Sequence, residues 1–219
     1  MSSRVGLVLV ALAAAAALGG AAPAAAGVPG AREVSALLRG TPQQGAWLGR
    51  PTAPVTLVEY VDLQCPFCAK FAAETFRPIV RRYVKTGRVR VLFRGIAFLG
   101  ADSVSTLRWT YAAGRQNKLW NLLELLFANQ GGENSGWAKP RLLADVARSV
   151  PGLDLARLRR DVPRTTSQLK AATAAAAAAK VPGTPYLEIG GSLTTLRPLP
   201  LKSFDPDDIA QEIDRLLRR

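Results

Sequence analysis

The sequence predicts an α/β domain in which an all-helical insertion separates the third strand of a sheet from the strand that follows it. Three observations support this fold class. An apolar, β-branched run at residues 53–63 leads into a helical segment and then into the alternating run RVRVLFRG, and these form a βαβ unit. Residues 101–180 carry helical patterns throughout. Two further strands and a helix follow, so the predicted order is β-β-α-β, the insertion, and β-β-α.

The N-terminal stretch has the features of an export signal. Arg4 precedes the apolar run VGLVLVALAAAAAL, and three alanines at positions 24–26 match the A-x-A cleavage site of a signal peptide. We therefore expect a signal peptide at residues 1–26 and a mature domain at residues 27–219. An uncleaved membrane anchor is the alternative, although the run is barely long enough to span a bilayer. No cysteine follows the signal, which excludes a lipid anchor. We expect the domain to work in the periplasm or cell envelope, where disulfides persist.

The composition is strongly basic, with 29 Lys and Arg residues against 16 Asp and Glu residues. Basic surfaces attract phosphates without specificity. However, the cations are scattered, no nucleic-acid-binding motif accompanies them, and an exported protein rarely meets nucleic acid. We therefore expect no nucleic acid partner. The charge is interpreted as a solvated surface, with weak attraction to anionic membranes or wall polymers as a secondary effect.

The chain before the insertion supplies the first half of the sheet. GAWLG, at residues 45–49, is predicted as a short edge strand after a lead-in punctuated by Gly and Pro, and APVTLVEYVDL as a buried strand. A helix follows at residues 66–87 and ends at Gly87. Its predicted apolar side comprises Phe67, Phe71, Phe76, Ile79 and Tyr83, and its predicted solvent side comprises Arg77, Arg81 and Arg82.

Five helical segments divided by Gly, Pro and Asn make up the insertion, which we expect to cover one face of the sheet. In the second, KLWNLLELLFANQ, four leucines fall on one face, which is typical of core packing rather than of a cofactor site. The alanine tract at residues 174–179 is strongly helix-forming. After the insertion, two strands are predicted to turn at Gly190-Gly191. The last helix has Asp205 as its cap and Pro206 at its first position.

Cys65 and Cys68 are the only cysteines of the chain and lie in the motif CPFC. As a structural disulfide, this pair would close almost no loop and would stabilise the fold little. A zinc site needs about four ligands, and the chain has no histidine, so metal binding is disfavoured. The pattern therefore favours a reversible redox pair.

The position of Cys65, where a strand meets a helix, supports this interpretation. The backbone N–H groups and the dipole at a helix start lower the pKa of a thiol from about 8.5 into a reactive range. Cys68 lies one turn later on the same helix face. We expect Cys65 to exchange with substrate and Cys68 to resolve the mixed disulfide.

A second signal is GTPYLEI, in which Thr184-Pro185 opens a strand. Proline removes a hydrogen bond from the ladder and is unusual at this position. An edge strand with a trans proline is the ordinary interpretation. Beside a CxxC pair in an α/β domain, we instead predict a cis peptide between Thr184 and Pro185. The backbone of Thr184 would then be open to an extended substrate strand near the sulfurs.

Three stretches, PVTLVEYVDLQCPFCAKF, LFANQGGENSGW and VPGTPYLEIGG, together resemble the DsbA-like thiol:disulfide oxidoreductases of bacterial envelopes, a branch of the thioredoxin superfamily. The resemblance implies a thioredoxin fold with a helical insertion. It also implies that Pro185 is the family's cis-proline, Cys65 its exposed nucleophile and Cys68 its buried partner. Glu59 takes the position of the family's buried carboxylate, a proton relay for Cys68. A surface charge at a strand edge is the alternative interpretation of Glu59.

The resemblance implies an enzyme that introduces disulfides into secreted proteins with free thiols and that needs no cofactor beyond its Cys65–Cys68 disulfide. A membrane partner would reoxidise the pair, and we expect a monomer. An extracytoplasmic reductase or isomerase is the alternative within this class. A module that binds unfolded proteins, with secondary thiol activity, is the alternative outside it. Phe67 stands where strongly oxidising members often carry histidine, so the extreme oxidising end of the family is not expected.

Overall fold

A mixed sheet lies at the centre of the computed structural model, which describes residues 27–218. The signal peptide predicted at residues 1–26 lies outside this range. In chain order the strands are β1 (Gln43–Gln44), β2 (Trp47–Leu48), β3 (Val55–Val61), β4 (Val89–Gly95), β5 (Tyr186–Gly190) and β6 (Arg197–Leu199). Their order across the sheet is β1-β2-β4-β3-β5-β6. Strands β3 and β4 are parallel, and the other neighbouring pairs are antiparallel.

The described chain contains the α-helices α1 (Ala31–Leu38), α2 (Pro66–Phe71), α3 (Arg77–Ile79), α4 (Ala101–Gly114), α5 (Leu119–Ala128), α6 (Pro140–Arg148), α7 (Leu155–Asp161), α8 (Thr166–Ala178) and α9 (Pro206–Leu217). Helices α4 to α8 all lie between β4 and β5, which confirms the predicted fold class. Each of the five predicted segments of the insertion forms a helix. Helix α1 and strand β1 were not predicted, because both are short and lie in a segment punctuated by Gly and Pro.

The central strands place the cysteine pair at one edge of the sheet. Every residue of β3 is buried, as expected for a strand that is covered on both faces. In the registers of β3, Val61 lies opposite Gly95 of β4 and Tyr60 lies opposite Tyr186 of β5. The loop after β3, which carries Cys65, therefore leaves the sheet between the loop after β4 and the segment before β5.

Residues 66–84 form one continuous helix, here called the redox helix. It consists of α2, a π-helical turn at Ala72–Phe76, α3, and a second π-helical turn at Val80–Val84. Pro78 lies inside it and has no N–H to donate to the preceding turn, which favours such local widening. Most of the predicted apolar side is buried, but Phe67 is 61% exposed.

The prediction that Arg77 faces water was wrong. Its Nε donates to the buried carboxylate of Glu124 at 3.0 Å, and its side chain is only 21% exposed. A helix pattern assigns arginine to the solvent side, but it cannot reveal an acid that another helix supplies to the core.

The insertion covers parts of both faces of the sheet, so the prediction that it covers one face was wrong. Helix α5 packs beside the redox helix, where the Trp120 ring contacts Phe76 and Phe93 at centroid distances of 5.2 and 6.1 Å. Helix α8 packs on the opposite face, where Ala176 joins a buried cluster with Val58. The small side chains of the alanine tract allow this close approach to the sheet.

Two details of the strands also differ from the prediction. Strand β2 pairs with both β1 and β4, so β1, not the GAWLG segment, is the edge strand. The chain does leave β5 at Gly190, but β6 begins only at Arg197. The last helix starts as predicted, with the Asp205 carboxylate accepting from the Asp207 N–H. None of the helices in residues 27–218 combines the length and the apolar character that a membrane span needs.

Candidate active site

Cys65 caps the N-terminus of the redox helix. Its backbone is extended (φ −69°, ψ 118°), and Pro66 occupies the first helical position, where a missing N–H leaves no hydrogen bond unmade. The Cys65 N–H donates to the Asp62 carbonyl at 3.1 Å. When it is protonated, the Cys65 thiol donates to the Thr184 carbonyl at 3.3 Å. These contacts fix the sulfur between the helix start and the segment before β5.

The surroundings of Cys65 lower the pKa of its thiol to about 6. The largest contribution is a hydrogen bond from Cys68. Burial opposes it, and hydrogen bonds from the Thr184 side chain and from the backbone N–H groups of Cys68 and Phe67 add to it. All these donors stabilise the thiolate. At neutral pH Cys65 is therefore mostly ionised, and the thiolate is the form that attacks and leaves in disulfide exchange.

Cys68 lies one turn further into the helix and is fully buried. Burial raises the pKa of its thiol well above the usual range, and the neighbouring Cys65 sulfur raises it further. The Thr184 side chain and the Asp62 backbone act in the opposite direction but do not offset burial. Both cysteines are free thiols in the structure. In the reduced pair, the surroundings therefore favour a thiolate at Cys65, the outer sulfur, and a protonated thiol at Cys68, the inner sulfur.

Thr184 and Pro185 lie beside this pair, as predicted. The peptide bond between them is cis, and the Thr184 carbonyl accepts the Cys65 hydrogen bond. Because Tyr186 pairs with Tyr60, Thr184 lies next to the end of β3, where the cysteine loop begins. The structure therefore brings the CPFC motif and the Thr184-Pro185 peptide together at one edge of the sheet.

Glu59 lies on the central strand β3 and is only 2% exposed, so the interpretation as a surface charge was wrong. Burial raises the pKa of its carboxyl well above the usual range, and the charge of Glu124 raises it further. Burial also raises the pKa of Glu124, to about 7, although Arg77 acts to lower it. Glu124 and Arg77 were not predicted, since a single charge in the leucine-rich α5 gives no sign of its partner.

Asp62 was also missed, and it organises the loops around the pair. Its Oδ1 accepts from the Gln64 N–H at 2.8 Å and from the Ser103 hydroxyl at 2.6 Å. Its Oδ2 accepts from the N–H groups of Phe98 and Leu99 at 2.8 and 3.1 Å. Asp62 is fully buried, so these four bonds replace the water that a carboxylate otherwise requires. An acid at the end of an apolar strand, three residues before a cysteine, is the sequence signal that could have indicated it.

Two amide side chains extend this arrangement to the loop after α5. The Gln64 side chain donates to Ser103 at 2.9 Å and accepts from the Asn134 N–H at 2.8 Å. The Gln130 side chain donates to the carbonyls of Leu63 and Cys65 at 2.7 and 3.1 Å. We call Asp62, Gln64, Ser103 and Asn134 the Asp62 cluster. It joins the cysteine loop to the insertion.

Apolar side chains are exposed around the cysteine loop. Phe67 is 61% exposed and Phe98 is 52% exposed. The Phe67 ring stacks on Phe204 at a centroid distance of 6.5 Å, and Lys70 lies over the Phe204 ring at 5.0 Å. The region therefore offers aromatic surface beside a reactive sulfur. Residues 27–218 contain no group of three or more His, Cys, Asp or Glu side chains that could hold a metal ion.

Comparisons with known proteins agree with this fold. A family model described as thioredoxin matches residues 41–204. "Disulfide bond formation protein D" of Bacillus subtilis is 26% identical over 176 residues, which are 78% of this chain and 76% of the relative. The crystal structure of oxidised BdbD from Bacillus subtilis superposes with a TM-score of 0.69 at 25% identity, over 82% of this chain and 98% of that one. Chlamydia trachomatis DsbA shares the fold, with a TM-score of 0.67 at 20% identity over 79% and 91% of the two chains.

Proposed function

The chain belongs to the thioredoxin family and is a DsbA-like thiol:disulfide oxidoreductase, and on that premise we propose that it introduces disulfide bonds into exported proteins. The observation that carries this proposal is the contrast between the two sulfurs, because Cys65 lies among hydrogen-bond donors at the start of the redox helix and Cys68 is fully buried. A Cys65 thiolate with a pKa near 6 stabilises the reduced pair relative to the disulfide. A stable reduced form makes the oxidised form a better donor of disulfides.

The proposed reaction starts from the Cys65–Cys68 disulfide. A substrate thiolate attacks the Cys65 sulfur, the bond between the two cysteines breaks, and Cys68 leaves with the electron pair. A second substrate thiolate then attacks the substrate sulfur of the mixed disulfide, and Cys65 leaves as a thiolate. The substrate loses two electrons and the pair gains them. The low pKa of Cys65 makes it the good leaving group in the second step.

The leaving Cys68 sulfur requires a proton, because burial raises the pKa of its thiol. We propose that Glu59 supplies it. Glu59 is buried on the central strand, and burial raises the pKa of its carboxyl well above the usual range, which favours the protonated form. A neutral carboxylic acid can donate its proton to a thiolate whose basicity burial has raised. Glu59 would then recover its proton from solvent between turnovers.

The remaining parts of the proposal concern partners and location. Export through the segment at residues 1–26 would bring the enzyme to the periplasm or cell envelope. A membrane protein would reoxidise Cys65 and Cys68 after each turnover, because the substrate leaves the pair reduced. The names of the relatives, disulfide bond formation proteins, support the oxidising direction. We propose that the enzyme acts as a monomer and uses no other cofactor.

The test is the equilibrium of the chain from Gly27 with a glutathione redox buffer, read by thiol alkylation and mass. We expect a potential well above that of thioredoxin, which is about −270 mV, but below the value of about −120 mV for DsbA. A potential near that of thioredoxin would mean that the chain holds its own disulfide tightly. The proposal would then be wrong in its direction, and the enzyme would be a reductase.

A further inference from the structure

Two stretches of chain without acidic residues meet at the edge of the sheet opposite to Cys65. Residues 34–58 and residues 75–101 contain nine Lys and Arg residues but no Asp or Glu. Strands β3 and β4 begin side by side, with Val55 opposite Val89, so the turns that precede them are neighbours. Cys65 follows the other end of β3, and seven residues at about 3.3 Å each separate the two edges by roughly 20 Å.

Five exposed or half-exposed cations collect at this edge, and we call them the basic pole: Arg50, Arg81, Lys85, Arg88 and Arg90. The turn before β4 brings members from both stretches together. A Cβ atom on Gly87 would lie only 2.7 Å from the Arg50 Cδ. The Arg50 side chain therefore crosses the turn between Lys85 and Arg88.

Backbone carbonyls and an aromatic ring hold two of these cations in place, and neither kind of partner neutralises the charge. Arg88 donates to the Arg82 carbonyl at 2.6 Å. Arg90 donates to the Pro51 carbonyl at 3.1 Å, and its guanidinium lies over the Trp47 ring at 4.8 Å. Within residues 27–218, no carboxylate forms an ion pair with a member of the basic pole.

A few acids border the basic pole from other helices. On α9, Asp207 pairs with Arg82 at 2.5 Å, so Arg82 is not counted in the pole, and Asp214 interacts with the Tyr83 hydroxyl. Helix α1 carries Glu33 in its first turn. The five cations of the pole outnumber these acids, one of which already has a cation of its own. This end of the molecule therefore carries an excess of positive charge.

We propose that the basic pole binds the surface of a membrane that contains anionic lipids, and that it recognises their phosphate headgroups. Each Lys or Arg near an anionic membrane surface adds to the attraction. The cations come from a turn, a helix end and the start of a strand, so they present a broad face rather than a single row. Such a face suits a lipid surface better than it suits one polymer strand.

This binding sets how Cys65 is presented. The attraction acts over about one Debye length, which is about 10 Å at 0.1 M salt. The cysteine edge lies roughly 20 Å from the basic pole, so it would face away from the bilayer and toward thiol-bearing chains in solution. An electrostatic attachment is reversible, and Cys65 can therefore also turn toward a membrane partner.

The experiment measures how the chain from Gly27 sediments with vesicles of phosphatidylcholine, alone or with phosphatidylglycerol as a third of the lipid. Starting at Gly27 removes an apolar run that would bind lipid by itself. We expect binding only to the vesicles with phosphatidylglycerol, and weaker binding as salt is raised. The triple variant Arg50→Gln, Arg81→Gln and Lys85→Gln should bind about a hundredfold more weakly. No binding to the anionic vesicles, or an unchanged affinity in the triple variant, would overturn the inference.

The matched control removes the same charge from another part of the surface. Arg159→Gln, Arg160→Gln and Lys170→Gln together replace two arginines and one lysine that are exposed on α7 and α8 of the insertion. This variant should bind within about threefold of the unchanged chain, because charges further than a Debye length from the lipid are largely screened. An equal loss in both variants would show that only net charge matters, and the role of the basic pole would be wrong.

A dye placed at each edge tests the orientation. Thr52 is exposed in the turn before β3, and Thr52→Cys in a chain with Cys65→Ser and Cys68→Ser carries the dye near the basic pole. Cys68→Ala carries it on Cys65. With a quencher on the lipid headgroups, we expect quenching of the first dye and not of the second. Equal quenching of both dyes would overturn the orientation.

Soluble poly(glycerol phosphate) presents similar phosphates without a bilayer and tests the choice of partner. At equal phosphate concentration it should leave most of the chain on the vesicles. Displacement of the chain by the polymer would overturn the membrane as the occupant.

This inference goes beyond the proposed function and fails separately from it. Lipid binding needs no thiol, so Cys65→Ser should bind the vesicles as tightly as the unchanged chain does. A chain that binds vesicles but equilibrates near the thioredoxin potential would be a reductase at the membrane surface. A chain that oxidises thiols but ignores anionic vesicles would leave the proposed function intact and show the inference to be wrong.

Discussion

The two cysteines lie one helical turn apart, yet the structure shifts their pKa values in opposite directions. Both are largely shielded from water, at 6% and 0% exposure for Cys65 and Cys68. The pKa of Cys65 is lowered to about 6, whereas the pKa of Cys68 is raised well above the usual range. Burial acts upward on both. The difference comes from hydrogen-bond donors, which meet at the outer sulfur.

The buried acids near the pair differ in the partners that surround them. Asp62 accepts four hydrogen bonds. Glu59 and Glu124 are equally buried, and Arg77 forms an ion pair with Glu124. The carboxyls of Glu59 and Glu124 have raised pKa values. Asp62 thus organises the loops around the pair through its hydrogen bonds, whereas Glu59 and Glu124 are acids whose pKa values burial raises.

Removing either sulfur should have the largest effect on thiol exchange and should separate the roles of the two cysteines. Cys65→Ser should abolish oxidation of substrate thiols, because the outer sulfur that exchanges with substrate is lost. Cys68→Ser should still form a mixed disulfide through Cys65 when it is offered a disulfide substrate, but should not resolve it. Mass spectrometry after acid quenching measures the trapped species. Turnover by Cys65→Ser would show that the thiols are secondary to a binding activity.

The buried acids predict a fall in stability as pH rises. The pKa of Glu124 is about 7 in the folded chain but about 4.3 when it is unfolded. Between these values the folded state binds more protons, so the free energy of unfolding decreases with increasing pH. The expected decrease from Glu124 is on the order of 3 kcal/mol at most, at 1.36 kcal/mol per pKa unit. Urea unfolding of the oxidised protein, which has no titrating thiols, measures it between pH 4.5 and 7.5.

Glu124→Gln should flatten this dependence, because an amide does not ionise. Glu74→Gln is the matched control, since Glu74 is an exposed acid on the redox helix with a side chain 55% accessible. It should leave the slope unchanged. Equal slopes in Glu124→Gln and the unchanged chain would show that Arg77 keeps Glu124 ionised throughout.

The Cys68 hydrogen bond, the largest cause of the low pKa of Cys65, can be removed directly. A hydrogen bond to a charged group contributes about 1.5–3 kcal/mol, so Cys68→Ala should raise the midpoint of Cys65 ionisation by about one pH unit or more. The pH dependence of alkylation by iodoacetamide measures this midpoint. In the reduced unchanged chain we expect a midpoint near pH 6. A midpoint that does not move in Cys68→Ala would assign the effect to the helix start alone.

Much of this arrangement could be predicted from the sequence because it depends on local patterns. Neighbouring residues in the sequence predict the surroundings of three features: the CPFC motif, the Thr-Pro at the start of β5 and Glu59 in its apolar run. The parts that were missed depend on partners that are distant in the sequence. Arg77 is 47 residues from Glu124, and Asp62 is 41 residues from Ser103. Phe67 was assigned to the core by helical spacing, but it lies in the first turn of the redox helix and is exposed.

The exposed position of Phe67 allows the smallest of these effects to be tested. A histidine there would be close to the Cys65 sulfur, whose thiolate already accepts from the Phe67 N–H. When protonated, it would stabilise the thiolate and so the reduced pair. We expect Phe67→His to raise the reduction potential by about 30 mV, which corresponds to about 1.4 kcal/mol. Equilibration with glutathione measures the change.

The charge of the histidine, rather than the loss of the Phe67–Phe204 contact, should cause this rise. Phe67→Leu removes the same ring stacking without adding a charge, so it should leave the potential near that of the unchanged chain. The rise in Phe67→His should also diminish above pH 7, as the imidazole loses its proton. An equal rise in both variants would mean that the aromatic contact, and not the absence of a cation, keeps the potential of this pair below the oxidising extreme of the family.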